Sequence, residues 1–193
     1  MQARKPDMAQ CLPDRWDGDI LDFWFRGHGR QSWFKRDGAF DAAIRARFLP
    51  LYESLALDLP TAAFDQPRSA LAAILALDQF PRNRFRGSPR AFATDAPALH
   101  LSQNAVGRGH DAALNVDERL FLYLPFEHSE RAGDQQRAVS LISELGDAEY
   151  TRFALAHQDI ITRYGRFPHR NEALGRPSTQ HELAFLKLPG SSF

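Results

Sequence analysis

Apolar residues recur every three to four positions along most of this chain, and Pro, Gly and capping residues stand between the runs. Asp14 sits where a cap is expected, and Trp16, Ile20, Phe23 and Trp24 form one stripe, which predicts a helix to about Phe25. Gly27-His28-Gly29 ends it, and Ser32-Trp33-Phe34 follows as an aromatic plug. Phe40, Ile44, Phe48, Tyr52 and Leu55 predict a second helix over 38–57, with Pro50 expected to kink or restart it. Asp65 and Pro67 read as the cap and early proline of a third helix, 66–79. Its middle, Leu71 to Leu77, is apolar nearly all round, so this helix is expected at the centre of the fold.

Ser88-Pro89 predicts the start of a helix toward Val106, with Pro97 as its weak point, and 107–115 reads as a loop. Asp117 to Leu124 predicts a short helix ended by Pro125, and Ser129 or Glu130 to Leu145 another. From Asp147 to Tyr164 one side carries Tyr150, Phe153, Ala154, His157, Ile160, Ile161 and Tyr164, and Gly165 suits the position just past a helix end. Thr179-Gln180-His181-Glu182 is a capping box for the last helix, expected to reach Leu188. No alternating run of β-branched residues suggests a strand. The expected fold class is all-α: one domain of about eight helices over 14–193, behind a loosely attached tail over 1–13.

Composition narrows the function classes. A chain of 193 residues buries about 70% of its unfolded surface, enough for a core without covalent staples. The balance of 24 basic and 24 acidic residues argues against nucleic-acid binding. No apolar run reaches the length of a membrane span, and the N-terminus lacks the apolar core of a secretory signal. Cys11 alone excludes an intramolecular disulfide and a cysteine-rich zinc site, which suits a cytoplasmic location. Of the basic residues 21 are Arg and three are Lys, and a planar guanidinium matches carboxylates and phosphates at two points.

The chemistry-bearing residues fall in three stretches. Leu77-Asp78-Gln79-Phe80-Pro81-Arg82-Asn83 has a near-copy in Arg166-Phe167-Pro168-His169-Arg170-Asn171. Both are expected to break a helix at Phe-Pro and to present cationic and amide groups in a turn. Leu124-Pro125-Phe126-Glu127-His128-Ser129-Glu130 is a third such stretch, acidic instead of basic. The three are expected to converge on one polar site, with Asp78, Arg82, Asn83, Arg166, Arg170 and Asn171 as ligand-binding candidates. His128 between Glu127 and Glu130, and His169 between Arg166 and Arg170, are the acid–base candidates. Carboxylates would raise the first pKa and cations lower the second, a usable split. No His-Glu-x-x-His spacing, nucleophile elbow or phosphate-cradling glycine loop occurs, so no metal or cofactor is expected. His157, on an apolar helical face, reads as a hydrogen-bonded core residue.

Three functions fit these residues. The first is a binding module with an Arg/His/Asn-lined pocket for a small anionic ligand or a carboxylate-bearing peptide. The second is a hydrolase-like enzyme using His128 or His169, with or without the help of a metal ion, and the third a scaffold for a protein partner with a structural charge lattice.

Five stretches, Ile20-Leu21-Asp22-Phe23-Trp24-Phe25, Leu77 to Asn83, Arg90-Ala91-Phe92-Ala93-Thr94-Asp95, Tyr123 to Glu130 and Gly165 to Asn171, together resemble the bacterial family known as domain of unknown function 924. The resemblance covers 14–193 and implies a TPR-like fold of stacked antiparallel helix pairs, with no settled activity. The chain itself shows no 34-residue period, so the TPR likeness is one of architecture.

Overall fold

A computed structural model describes residues 12–191, so Cys11, most of the tail expected over 1–13 and Phe193 lie outside the described residues. Among the described residues every regular element is helical and none is a strand. No helix among them is long and apolar enough to cross a membrane.

The chain enters through α1 (Trp16–Leu21), which widens into a π-turn over Asp22–Arg26. Asp14 does not cap it: Arg15 holds that position, without a side-chain bond. In α2 (Arg30–Trp33) the buried Trp33 donates Nε1–H to the Trp24 carbonyl at 2.9 Å, while Phe34 is exposed, so Trp33 alone is the plug. Asp37 caps α3 (Gly38–Leu57), which runs through Pro50 as one helix. Pro50 and Ala46, whose carbonyl Pro50 leaves without an amide donor, both face solvent, so that carbonyl is not a buried unpaired acceptor.

After the short α4 (Ala62–Asp65), α5 (Pro67–Ile74) continues through a π-turn over Leu75–Gln79 into α6 (Phe80–Arg84). Every residue from Ser69 to Pro81 is buried, so this rod is the centre of the fold, as its all-round apolarity predicted. Phe80-Pro81 does not break the helix. A proline has no N–H for the carbonyl four residues back, which here is that of Leu77. The Thr94 hydroxyl donates to it instead, at 2.6 Å.

Ser88 opens only a 3₁₀ turn, Pro89–Phe92, and the helix proper is α7 (Asp95–Gly107). Pro97 therefore lies in the first turn of α7, where a missing N–H costs nothing. A 3₁₀ turn, His110–Ala113, occupies the predicted loop. An Asn115–Glu118 capping box starts α8 (Val116–Glu127), which continues past Pro125, so Glu127 belongs to its last turn. The Ser102 hydroxyl of α7 donates to the Leu122 carbonyl in the turn before that proline.

Next come α9 (Ala132–Ser143) and α10 (Ala148–Tyr164), the latter capped by Asp147 and ended by Gly165 at φ 70°. A 3₁₀ turn, Pro168–Arg170, leads to α11 (Gln180–Phe185), which has the predicted capping box but stops before Leu188.

The main core holds a ring cluster in which Trp24 meets Phe121 edge-on at 5.4 Å and Phe40 at 5.3 Å. A smaller apolar cluster, Ile160, Ile161, Phe167 and Phe185, lies at the C-terminal end of α10.

Candidate functional site

The end of the central rod carries the first charged group. Asp78, 1% exposed on the π-turn, accepts from Gln79 Nε2 at 2.7 Å and lies 3.2 Å from Arg82 Nη1. Its Oδ1 is 2.8 Å from Nδ1 of His128, the residue that closes α8. One turn along the rod, Arg82 Nη1 donates to the Asp78 carbonyl at 2.6 Å and to Asp95 Oδ1 at 2.9 Å.

From the other end of the chain, Arg170 Nη1 donates to Asp95 Oδ2 at 3.1 Å and Nη2 to the His128 carbonyl at 2.9 Å. Asp95, at the start of α7, thus bridges two guanidinium groups. Arg170 is fixed further by the rings of Phe92 and Phe167, each 4.7 Å away. Beside it Glu130 accepts from the Phe167 amide at 2.8 Å and from both Arg176 Nη atoms, at 2.7 and 3.0 Å. Arg176 Nε in turn donates to Asn171 Oδ1 at 3.0 Å.

The three sequence stretches therefore meet. Asp78, Arg82, Glu127, His128, Glu130, His169, Arg170 and Asn171 gather where the rod, the end of α8 and the 168–170 turn come together. Two candidates are placed elsewhere. Asn83 faces α3 and donates to Asp41 at 2.8 Å, next to Arg86. Arg166 holds the last helix, donating to both Glu182 carboxylate oxygens at 2.6 and 2.8 Å. Asp95 was missed as a site residue, although it closes one of the quoted motifs. An acid in the first turn of a helix usually reads as a complement to the helix dipole. Its bond to Arg170 spans 75 positions, beyond any local pattern.

Electrostatics follow from burial and from who faces whom. Burial opposes the Asp78 charge, but Arg82 and His128 outweigh it and hold the carboxyl well below its usual range. Burial, then Arg82, pushes His128 below 6.5. The expected upward shift of His128 from Glu127 and Glu130 does not occur, because burial and then Arg82 dominate while Glu130 is engaged with Arg176. His169 is lowered to about 3 by burial, Arg170 and Arg82, in the direction its cationic neighbours predicted. Burial and the Asp78 charge raise Glu127 to about 8. His157, buried as its apolar face predicted, is lowered to about 3 by burial and His128. Its Nδ1–H donates to the Phe153 carbonyl at 2.9 Å and lies 3.1 Å from Glu127 Oε1. At neutral pH the site thus holds a protonated carboxyl, Glu127, and neutral imidazoles. The expected split between a raised His128 and a lowered His169 is not found, since both are lowered.

Among the described residues no group of three or more His, Cys, Asp or Glu is arranged to hold a metal ion. Solvent reaches the cluster at Asp95, Arg82 and His128, whose side chains are 23%, 18% and 14% exposed.

The family model described as bacterial protein of unknown function (DUF924) matches residues 20–190. The chain belongs to that family. It is also similar to a solved structure from Agrobacterium tumefaciens, described as the protein of unknown function ATU0120. Identity is 42% and the TM-score 0.85, over 89% of this chain and 96% of the other. A comparison with curated proteins finds no match.

Proposed function

We propose that this DUF924 protein is a cytoplasmic helical binding module, TPR-like in architecture, that holds a small anion at the arginine pair beside Asp95. The ligand is a carboxylate or phosphate, free or at the end of a peptide, and neither nucleic acid nor a membrane is its partner. One observation carries the reading. Arg82 and Arg170 share Asp95, yet Arg82 Nη2 and Arg170 Nε are buried donors with no acceptor in the protein. A buried donor left unpaired costs about 1–3 kcal/mol, and a two-point oxyanion is the natural complement of a guanidinium fork. No side chain caps α7 at this point, since the Thr94 hydroxyl is turned to Leu77, so its first turn adds positive partial charge. Asp95 is then a built-in occupant with which an incoming anion competes.

Calorimetric titration with inorganic phosphate tests this. Asp95→Asn is expected to tighten binding and Arg170→Gln to weaken it at least about tenfold, the loss of one charged hydrogen-bonding partner. Equal affinity in wild type and Arg170→Gln would sink the proposal.

One observation favours a second reading, a structural lattice in a scaffold for a protein partner. Arg82, Arg170 and Arg176 are matched in charge by Asp78, Asp95 and Glu130 without any ligand. Under it phosphate does not bind at all, and Arg170→Gln acts only on the melting temperature.

A further inference from the structure

Resting on the anion site just proposed, we infer that His128 is a general base that activates water to hydrolyse the ester bond of a small carboxylate-bearing ester held by Arg82 and Arg170. The geometry begins with the His128–Asp78 contact of 2.8 Å. Asp78 is buried and held ionised by Arg82, so it can only accept. His128 Nδ1 therefore carries the proton and Nε2 the lone pair, an assignment that follows from the hydrogen-bond network. This is the relation by which a buried carboxylate fixes tautomer and orientation of a catalytic imidazole.

The rest of the residue is equally constrained. The His128 carbonyl accepts from Arg170, so the backbone is tied to one arginine and the ring, through Asp78, to the other. Facing the ring are Asp78 and Arg82 from the rod, Arg170 and His169 from the 168–170 turn, and His157 from α10. Burial and Arg82 together keep the imidazole neutral at pH 7, the form a base requires.

The nearby hydroxyls are engaged: Ser129 donates to Asp134 at 2.7 Å and Thr94 to Leu77 at 2.6 Å. Water is therefore the nucleophile. His128 Nε2 takes a proton from water as its oxygen bonds to the ester carbonyl carbon, whose π electrons move onto oxygen. When the carbonyl re-forms, the bond to the alkoxy oxygen breaks and that oxygen takes the proton from Nε2. A carboxylic acid and an alcohol leave, and His128 returns to its neutral form. The arginines hold the remote carboxylate, so an ester without one lacks its anchor.

The test is hydrolysis of 4-nitrophenyl hemisuccinate against neutral 4-nitrophenyl acetate by the full chain, with phosphate titrated into the same wild-type sample. Wild type is expected to hydrolyse the hemisuccinate, with activity rising as pH passes the lowered His128 value. His128→Gln lowers kcat by about a hundredfold or more, the usual weight of a positioned base, whereas Arg170→Gln acts chiefly on KM. Should His128→Gln misfold, carbethoxylation of wild-type His128 by diethyl pyrocarbonate, slowed by phosphate, reads the same Nε2. Phosphate binding without hydrolysis, or an unreactive His128, overturns the catalytic role and leaves the binding proposal intact. Failure to bind phosphate overturns both.

Discussion

Phe80-Pro81-Arg82-Asn83 and Phe167-Pro168-His169-Arg170-Asn171 are written in nearly the same letters and fold differently. Phe80 is helical at φ −58° and ψ −40°, although a residue before proline avoids that region. Phe167, at φ −87° and ψ 108°, takes the extended form that proline favours. Upstream, Gly165 at φ 70° has already ended α10, while Gln79 before Phe80 remains helical. The first segment goes against local preference because it is the end of a rod buried on all sides, with Thr94 replacing the lost amide. The second follows local preference although Phe167, Pro168, Arg170 and Asn171 are buried as well. One consequence is that both arginines reach Asp95 while the two asparagines part, Asn83 to Asp41 and Asn171 to Ser178.

The largest way to break the first segment is Asp78→Asn, which leaves Arg82 and His128 facing a neutral, buried amide. A loss of about 3–5 kcal/mol is expected, the usual effect of removing one partner of a buried pair, measured as a fall in the urea midpoint. An unchanged midpoint would show that Asp78 does not hold the three segments together.

Thr94→Val should cost about 1–3 kcal/mol, the penalty for an unpaired buried carbonyl at Leu77. Adding Pro81→Ala restores a backbone donor and should recover part of that loss. If the double variant is no more stable than Thr94→Val alone, the hydroxyl is not compensating for the proline. Gly165→Ala strains the left-handed residue that precedes the second segment. Its expected cost is about 1–2 kcal/mol, read from the melting temperature.

The two segments also separate by pH. His169 has a folded value near 3 against an ordinary 6.5. The unfolded chain therefore binds the extra proton, and stability declines as pH falls from 6.5 toward 3. The Asp78 value is also lowered, so its contribution is present above an ordinary 3.8 and is lost only below it. His169→Gln should flatten the decline in melting temperature between pH 6 and 4, two points inside that first window, with little change at pH 7. A slope identical to wild type would remove His169 from the acid response.

Much of the site's location was legible in the chain, and its wiring was not. The three stretches named from Phe-Pro and Glu-His spelling do meet, with Asp78 on the central rod, Glu127 and His128 at the end of α8 and Arg170 in the turn beyond Gly165. Asp95 was passed over because nothing within a turn of it predicts a partner 75 positions away. Pro81 and Pro125 look like terminators in the sequence because the hydroxyls that serve carbonyls in the turns before them, Thr94 and Ser102, lie 17 and 20 positions from those carbonyls.

By itself, the sequence determined the helical class, the central rod, the ends of α10 and the capping box of α11. Those depend on spacing and on energies settled within a few residues. Only the tertiary structure decided which prolines a helix runs through, which arginines share a carboxylate, and that Glu127 and not His128 is the group raised in pKa. Each of these depends on burial and on charges brought together from distant parts of the chain, where low polarity makes a single neighbour decisive.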